Sequence, residues 1–600
     1  IRGQLRWQPS EQTTVDLQLA HTIDNSGIQP KIGSCINQGA FGLPFNLSSP
    51  ALLGGIGCYD ANGEFSAWAA TNPGALGGFT AANFRNNTDS VYQDQPDHTD
   101  NQTSMLIGKV YHELNDKMAL TAILGYSESD QDQFLDLDRS GIKAINRFGA
   151  FEAQSYSAEA RLSSIGDNKI DWTFGGIIYN EEFDAVNQIL IEQVLGPWAP
   201  GDKANENQIK NEIEGYAAFA NIEWHMSDTL SLIAGGRYSH DKGTNTWSEV
   251  YAACGRRPVG APLDTSTAVD GNGPCELTPD QQNYITRLGS LPEYNGFVSG
   301  GRYAQNSGRF ATNSSDDFSP RVALNWKPSS NGSAYASVSK GYKPAGGQGN
   351  PDGGLGITSE FEKETLWNYE IGGNAYLMDR RMLVQGALFY MDWNDYQFLS
   401  RNTLCVLASN GTIVPVTSGL DLSTCSRQLQ VDGTQNLPKA RSKGAEFSST
   451  FRVTDGLTFN GALGYLDAKY VEGTGIVGGA PTDLSGIKIG NAPKWTASAG
   501  AEQTFDFLGG EGAIAANWTY RARTSLGVTE TANLTFPSSV DPISLVNLRL
   551  SQSWGNNRIT INVDNLFNKE YYTATEGFSF VGPQLTYNPR TWSVKLTSEF

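Results

Sequence analysis

The chain has 600 residues, of which 39% are hydrophobic, and a formal net charge of −20. Its mean hydropathy of −0.37 and its short apolar stretches exclude a bundle of membrane-spanning helices, because each such helix needs about 20 apolar residues. A membrane β-strand needs only about 9–11 residues with every second one apolar, so the composition permits a transmembrane β-barrel. The acidic charge, without a cluster of Lys and Arg, argues against nucleic acid as a partner.

Segments in which apolar and polar residues alternate recur along the whole chain, which predicts an all-β fold. Three of these segments place their apolar side chains on one face: Leu120, Ala122, Leu124 and Tyr126; Ile170, Trp172, Phe174 and Ile178; Leu230, Leu232, Ala234 and Tyr238. Polar residues such as Asp171, Ser231 and Arg237 take the opposite face. We therefore predict an antiparallel barrel with an apolar exterior and a polar lumen.

Two kinds of connection join these segments. Tight polar turns are predicted at residues 8–12, 115–117, 166–169, 227–228, 329–332, 379–380, 454–456 and 555–557. Long irregular excursions are predicted at about residues 23–97, 242–310, 394–437 and 470–487. In outer-membrane barrels the short connections face the periplasm and the long ones face outward, so this pattern orients every strand.

The six cysteines fall into three sequential couples, each inside a long excursion: Cys35 and Cys58, Cys254 and Cys275, Cys405 and Cys425. No CxxC motif occurs and no His lies within a couple, which argues against zinc. Six cysteines allow 15 connectivities. Because strand-rich regions separate the couples, we predict three local disulfides on extracellular loops, formed in an oxidising compartment.

The carboxy-terminal segment also reads as a barrel strand. Trp592, Val594, Leu596 and Phe600 share one face, although Ser598 interrupts the series. With this strand running toward the periplasm, about 19 strands are counted, and the first of them also runs toward the periplasm. A closed bacterial barrel with both ends periplasmic needs an even number of strands. The count therefore predicts that an odd number of strands precedes Ile1.

No catalytic constellation is visible in the sequence. The five histidines are scattered, and no HExxH, GxSxG or Walker motif occurs. The glycine cluster at residues 346–356 follows a predicted strand and contains Pro351, so an extracellular loop is favoured over a nucleotide site. We therefore predict that the protein is not an enzyme, and we assign no catalytic residue, no metal ligand and no cofactor.

Several segments resemble the TonB-dependent outer-membrane receptors of Gram-negative bacteria, in particular their siderophore receptors. The matching segments are SAEARLSS at 157–164, FSPRVALNW at 318–326, YASVSKGYKPAGG at 335–347, NVDNLFNKEYY at 562–572 and PRTWSVKLTSEF at 589–600. The opening IRGQLRW at 1–7 resembles the fourth strand of that family. The resemblance implies a 22-stranded barrel and an amino-terminal plug, so that three strands and the plug are expected upstream of residue 1.

The resemblance also implies a function. Such receptors capture a scarce ligand, most often a ferric siderophore, and import it with energy supplied by TonB. Expected partners are the TonB system, the ligand, outer-membrane lipid or lipopolysaccharide, and an accessory lipoprotein. The family's TonB box and many ligand contacts belong to the part expected upstream, so no residue of this chain is assigned to them.

Two alternatives from other classes stay open at this point. A general porin would be a passive channel, and a surface adhesin or structural barrel would use the same loops to hold another protein. Among receptor substrates, a glycan, cobalamin or an aromatic compound would also fit. A plug sequence upstream of residue 1 would favour the receptor, and its absence from the gene would contradict it.

Overall fold

The computed structural model describes residues 1–27, 31–33, 97–136, 145–191, 203–252, 302–349, 358–407, 413–415, 424–477, 480–525, 539–571, 575–576, 584–586 and 589–598. These residues are almost entirely strand. No helix among them is long and apolar enough to cross a membrane.

The first strands in chain order are β1 (Arg2–Ser10), β2 (Thr13–Gly27), β3 (Lys31–Gly33), β4 (His98–Asn115), β5 (Met118–Asp136), β6 (Ile145–Ser164), β7 (Ile170–Ile191), β8 (Lys203–Ser227), β9 (Leu230–Ala252), β10 (Arg302–Ser329), β11 (Gly332–Lys343), β12 (Gly346–Gly349), β13 (Thr358–Phe361), β14 (Glu364–Leu377) and β15 (Met382–Leu407). They are followed by β16 (Ile413–Pro415), β17 (Cys425–Arg452), β18 (Leu457–Glu472), β19 (Thr474–Val477), β20 (Ala480–Asp483), β21 (Trp495–Phe507), β22 (Gly510–Arg521), β23 (Thr524–Ser525), β24 (Ser539–Val540), β25 (Ile543–Trp554), β26 (Asn557–Asp564), β27 (Thr575–Glu576), β28 (Gln584–Thr586) and β29 (Thr591–Ser598).

One antiparallel sheet contains the long strands. It has 20 strands, of which β16 is a three-residue addition to the end of β15. The other 19 pair with their neighbours in chain order, from β1–β2 through β26–β29. The prediction of about 19 antiparallel strands is therefore confirmed. Among the described residues, β1 and β29 each pair with one barrel strand, so the sheet has two unpaired edges.

Every predicted tight turn joins two paired strands at the same end of the sheet. At the turn between β14 and β15, Met378, Asp379 and Arg380 all adopt positive φ angles of 52°, 55° and 65°. A further tight turn joins β21 to β22 through Leu508 and Gly509, both also with positive φ. These connections, of four and two residues, hold successive strands in register.

The predicted alternation of faces is confirmed. Large apolar side chains project outward, as shown by the exposed fractions of 64% for Leu124, 63% for Ile178 and 58% for Phe318. On the opposite face, the Ser231 hydroxyl donates to Glu223 at 2.7 Å and Arg237 donates to Ser239 at 2.9 Å. An outer surface of exposed apolar residues with a hydrogen-bonded inner surface is the arrangement expected in a bilayer.

Two predicted excursions contain more strand than the sequence suggests. β9 continues to Ala252 and β10 begins at Arg302, within the region predicted as irregular from 242 to 310. Likewise, β15 and β17 pair from Met382↔Phe451 to Leu407↔Cys425, with an interruption at Asp395 and a register shift after Val406, so their pairing extends through much of the predicted excursion at 394–437. The period-two signal is lost there because strands that rise above the bilayer meet water on both faces, so neither face requires apolar residues.

The cysteines and the last residue lie mainly outside the described part of the chain. Cys35, Cys58, Cys254 and Cys275 fall outside it, as does Phe600. The backbones of Cys405 and Cys425 lie in β15 and β17, but their side chains are not among the described ones. In β29 the described members of the terminal series, Trp592, Val594 and Leu596, are 67%, 67% and 74% exposed.

Candidate functional site: the upper lumen wall

The upper lumen wall, defined here as the inner face of β7–β11 about 10 residues from the tight turns, carries a row of polar side chains. Tyr179, Gly215, Asp241 and Ser315 are direct neighbours in register across β7, β8, β9 and β10. They face the lumen because they alternate with outward residues such as Ile178 and Phe318. Strand alternation thus places one continuous polar row at the upper end of the barrel interior.

Asp241 is the centre of this row. Its side chain is buried, and its two carboxylate oxygens accept hydrogen bonds from the hydroxyls of Tyr179 and Tyr342. Tyr179 reaches Asp241 by crossing β8 at Gly215, where an added Cβ would overlap the tyrosine ring. The glycine is therefore required by the close approach of the ring. Two tyrosines from strands two places away on either side hold one carboxylate in place.

Asp317 forms a second buried anionic centre on β10. Its side chain is 0% exposed and accepts hydrogen bonds from Lys340 Nζ at 2.6 Å and Lys363 Nζ at 3.2 Å. The Ser319 hydroxyl donates to its other oxygen at 3.0 Å. A buried carboxylate is stable only when it is paired and hydrogen-bonded, and these three donors satisfy that requirement.

The hairpin β12–β13, in the connection between β11 and β14, folds inward against this wall. An added Cβ at Gly347 would overlap the Cβ of Ala311 and lie 3.0 Å from Asn313 Nδ2, both on the lumenal face of β10. The amide of Ala345 donates to the Ser315 hydroxyl at 2.8 Å. Lys363 at the other leg donates to Asp317 and to the carbonyl of Asp316. The hairpin is therefore attached to β10 through both of its legs.

A second clamp attaches the same hairpin to β15 and β17. The Asn436 side chain accepts from the Glu362 amide at 2.8 Å and donates to the carbonyls of Glu362 and Asp395 at 2.9 and 2.7 Å. The Gln397 side chain donates to the carbonyls of Pro344 and Glu362 at 2.8 and 3.2 Å. The side-chain amides of Asn436 and Gln397 thus take the place of backbone partners, so both legs are hydrogen-bonded although they do not pair with the 20-stranded sheet.

Strand lengths explain why the hairpin can turn inward. β11 and β14 have 12 and 14 residues, whereas the flanking β10 and β15 have 28 and 26. The barrel is therefore lower at β11 and β14 than at their neighbours, and the connection between these two strands has room to fold over the lumen. The result is a lumenal ledge, the name used below for β12–β13 with its two legs at residues 344–345 and 362–363.

A small aromatic core lies on the other side of the ledge, on β15, β17 and β18. Phe398, Leu437, Ala440, Tyr470 and Leu484 are buried together, with Trp393, Tyr396 and Ile489 packed against them. The rings of Tyr396 and Phe398 both contact Tyr470 edge-on, at 5.7 and 5.5 Å between centroids. The positive φ of Asp395, 54°, precedes the two β15 rings that join Trp393 in this core. Edge-to-face aromatic pairs of this kind each contribute about 0.5–1.5 kcal/mol beyond the area they bury, so they stabilise the strands beside the ledge.

The segment that carries Leu484 follows the β19–β20 hairpin and runs along the end of β18. The amides of Leu484 and Gly486 donate to the carbonyls of Gly473 and Tyr470 at 3.0 and 2.9 Å. Within the same segment, the hydroxyl and amide of Ser485 donate to the Asp483 carboxylate and hold the pKa of that exposed carboxyl below its usual range. The connection above β18 is thereby ordered by backbone and side-chain hydrogen bonds.

The sequence-based predictions assigned no ligand-binding residue, and the cluster around Asp241 and Asp317 was not foreseen. One signal did point to it. The segment at 335–347, which carries part of the family resemblance, contains Lys340, Tyr342 and Ala345, three residues that contact the wall or the ledge. The partners of these residues lie up to about 100 positions away in sequence, which alternation alone does not reveal. Among the described residues, no group of three or more His, Cys, Asp or Glu side chains could hold a metal ion.

Comparison with known proteins gives a consistent picture. Residues 45–566 match the sequence family described as TonB dependent receptor-like, beta-barrel. The metal-pseudopaline receptor CntO of Pseudomonas aeruginosa strain UCBPP-PA14 is 24% identical over 301 residues, which cover 49% of this chain and 36% of that protein. The matched region therefore spans about a third of the length of that curated relative.

Solved structures share the fold at low sequence identity. The ferric yersiniabactin uptake receptor FyuA of Yersinia pestis has a TM-score of 0.64 at 14% identity, covering 100% of this chain and 70% of that one. The siderophore receptor PiuA of Acinetobacter baumannii has a TM-score of 0.62 at 14% identity, with coverages of 100% and 74%. The ferric-catecholate import receptor Fiu of E. coli K12, in its closed form, has a TM-score of 0.61 at 14% identity, with the same coverages.

Proposed function

The chain belongs to the TonB dependent receptor-like β-barrel family and lies in the outer membrane of a Gram-negative bacterium, and from this premise we propose that it is the barrel of an active-transport receptor. In this proposal the receptor captures a scarce ligand outside the cell, a ferric siderophore, and imports it to the periplasm. TonB supplies the energy.

The observation that carries the proposal is the size of the sheet. The part of the chain that the structure describes has nineteen strands in one antiparallel order with two unpaired edges, which exceeds the 16–18 strands of porins. A barrel of that width cannot be filled by its own side chains, so it needs a separate plug if it is not to leak. This favours a gated receptor over a passive porin.

We also propose that three further strands and an amino-terminal plug complete the barrel. β1 and β29 run in the same direction, since both end on the tight-turn side, so an odd number of strands must lie between them for antiparallel closure. Three such strands would satisfy the pairing of both edges. The exposed residues of β1, such as Leu5 and Trp7, would then face lipid beside a neighbouring strand.

The lumenal ledge and upper lumen wall supply what a gated import path needs on the barrel side. Hydrogen-bonding side chains line this part of the lumen, so a polar ligand could exchange hydrogen bonds with water for hydrogen bonds with the wall as it passes. The Asp317 carboxylate offsets one of the two lysine charges beside it, and the Asp241 carboxylate adds a second negative charge to the same wall. A ligand would bind between this wall and the proposed plug.

Ferric siderophore takes first place among substrates because the solved structures with the same fold include receptors for ferric yersiniabactin and ferric catecholates. A second candidate is a chelate of a metal other than iron. It is favoured by the partial match to a metal-pseudopaline receptor. Glycans, cobalamin and aromatic compounds are retained as outcomes of the test.

The test is growth of a deletion strain under metal limitation. Single purified ferric siderophores, other metal chelates and cobalamin are supplied in turn, and the full-length gene is restored on a plasmid. The proposal expects that at least one ferric siderophore supports growth only when the gene is present. If the deletion strain grew on every iron chelate but needed the gene to use another compound, the ferric siderophore would be wrong and that compound would be the substrate.

A further inference from the structure

Uncharged residues form a continuous band on the inner face of the barrel, above the level of Asp241. One row of direct neighbours in register crosses β5 to β10 and consists of Ser129, Ala153, Phe183, Asn211, Asn245 and Ala311. The next row up crosses β4 to β8 and consists of Asn101, Gln131, Phe151, Ala185 and Ile209. Both rows face the lumen because they alternate with outward residues such as Leu124 and Ile178. These two rows are named the neutral band below.

The outer face of the same strands is densely charged at this height. The alternating outward positions are Glu128, Gln154, Glu182 and Glu212 in one row, and Asp130, Glu152, Asp184 and Lys210 in the next. Water can reach both faces of strands that rise above the bilayer, so both faces could carry charges. The lack of charge is therefore a property of the inner face and not of these strands as a whole.

The charged residues nearest to the neutral band do not give it an excess of positive charge. In the row between the band and Asp241, Glu181 is exposed and carries a negative charge. Above the band, Arg147 donates through Nε to the side-chain oxygen of Asn187 at 3.1 Å. An anion has to exchange its water for cations or several strong donors, so this surroundings suits an uncharged ligand better.

Hydrogen bonding within the band leaves an amide donor directed at the lumen. Asn245 Nδ2 donates to the side-chain oxygen of Asn211. The oxygen of Asn211 is thereby used, whereas its NH₂ group makes no hydrogen bond to a described residue. Asn211 lies directly opposite Phe183, with about 5 Å expected between their Cβ atoms. A donor that fits a carbonyl or hydroxamate oxygen thus lies beside an aromatic ring.

Two phenylalanine rings give the band an apolar surface. Phe151 and Phe183 stack with 6.2 Å between their centroids, and Phe183 is 36% exposed. At the β10 end the lumenal ledge covers the band, since an added Cβ at Gly347 would overlap the Cβ of Ala311. A ligand can therefore contact the band on β6 to β8, where the rings and the Asn211 donor lie next to each other.

We infer that the neutral band contacts an uncharged ferric chelate of the trihydroxamate class. This inference rests on the proposed function, because it names the class of siderophore that the receptor imports. In a ferric trihydroxamate the ligand groups cancel the charge of the ferric ion, whereas the doubly charged groups of a tris-catecholate leave the complex strongly anionic. Hydroxamate and amide oxygens accept from donors such as the Asn211 NH₂ group, and the carbon skeleton packs on Phe183.

The test measures binding of defined ferric chelates to the purified full-length receptor by quenching of tryptophan fluorescence. The probes are ferrichrome and ferric coprogen, which are uncharged trihydroxamates, and ferric enterobactin and ferric bacillibactin, which are anionic tris-catecholates. At least one trihydroxamate should bind about tenfold more tightly than either catecholate. This factor corresponds to one charge-assisted hydrogen bond that the anion loses with its water.

The variant Asn211→Asp tests the contact itself. It keeps an oxygen that accepts from Asn245 and replaces the NH₂ donor by a second oxygen, so the trihydroxamate should bind about tenfold more weakly. The matched control is Asn180→Asp, the same exchange on the outer face of β7, where Asn180 lies opposite Glu214. It should bind as the wild type does, and all three proteins should unfold at about the same temperature.

The chelate comparison uses the wild type alone, so it does not depend on the stability of a variant. Tighter binding of a tris-catecholate would overturn the inference and leave the proposed import of a ferric siderophore standing. Binding of no ferric chelate of either class would overturn both. Unchanged affinity in Asn211→Asp, or an equal loss in Asn180→Asp, would overturn the contact with the neutral band.

Discussion

The attachment of the lumenal ledge depends on Asp317, and Asp317→Asn tests it. The carboxylate accepts from Lys340 Nζ at 2.6 Å and from Lys363 Nζ at 3.2 Å, and it is fully buried. Both ammonium groups bond the same carboxylate oxygen, Oδ1, and the Ser319 hydroxyl bonds the other. An asparagine oxygen at that position still accepts from the lysines but carries no charge, and its NH₂ group then meets the Ser319 hydroxyl. The variant therefore weakens both charge-assisted contacts while it preserves the size of the side chain.

The magnitude follows from these contacts. A hydrogen bond to a charged group contributes about 1.5–3 kcal/mol, and the two lysines, 19% and 36% exposed, regain water when released. A total loss of about 3 kcal/mol is expected for opening of the ledge. Since about 1.4 kcal/mol corresponds to tenfold in an equilibrium, hydrogen-exchange protection should fall by about 100-fold. The barrel strands should keep their protection.

The assay is hydrogen exchange by mass spectrometry on peptides that contain the amides of Ala345 and Glu362. These amides donate to Ser315 and Asn436, so they report on the two legs of the ledge. Asp316→Asn is the matched control, because Asp316 is the adjacent outward residue and bonds to Tyr238 and His240 on the other face. Unchanged exchange in Asp317→Asn, or equal loss in Asp316→Asn, would refute the reasoning.

Three further predictions concern packing and cross-links. Leu484→Ala should lower the free energy of unfolding by about 3 kcal/mol or release residues 484–489 locally, whereas Leu399→Ala, at a 61% exposed position, should cost less than about 0.5 kcal/mol in denaturant melts. Gly510→Ala should reduce the thermal stability of detergent-purified protein, because the added Cβ would overlap the carbonyl oxygen of Ser553. The control is Gly108→Ala, where an added Cβ meets no atom within 4 Å. An equal loss of stability in both variants would contradict the close approach at Gly510. Mass spectrometry of unreduced peptides should show three disulfides, which join Cys35 to Cys58, Cys254 to Cys275 and Cys405 to Cys425. Free thiols at these positions would contradict the prediction of disulfides on extracellular loops.

Much of the wall could be predicted from sequence because lipid imposes a strict period of two. Residues such as Leu124 and Ile178 must be apolar since they face hydrocarbon, and their neighbours face the lumen. Tight turns are equally readable, as at Asp379 and Arg380, where a short polar pair interrupts two alternating runs. The strand count and orientation follow from these two signals.

The signal fades above the membrane. From Asn394 to Leu407 the strand β15 is paired with β17 at every residue except Asp395. Both of its faces meet water there, so no alternation of apolar and polar residues marks the strand. The positive φ of Asp395 is a second reason, because it brings Tyr396 and Phe398 into the same aromatic core as Trp393. A search for alternating residues cannot detect a change of side-chain direction within a strand.

The polar centres of the lumen could not be predicted for a topological reason. Asp241 meets Tyr179 and Tyr342 only because β7 and β11 each lie two strands from β9. The glycine that makes room for this contact, Gly215, has no distinguishing sequence context. Side-chain reach across an intervening strand depends on the three-dimensional register, which single-sequence patterns do not contain.

The central claim is energised import, and uptake of a radiolabelled ferric siderophore by intact cells tests it most directly. The measurement compares the wild type, the deletion strain and the deletion strain carrying the full-length gene, each with and without an uncoupler that collapses the proton gradient. The account predicts saturable uptake that requires the gene and stops when the uncoupler is added. Gene-dependent uptake that continues at full rate without the gradient would indicate a passive channel and contradict the account.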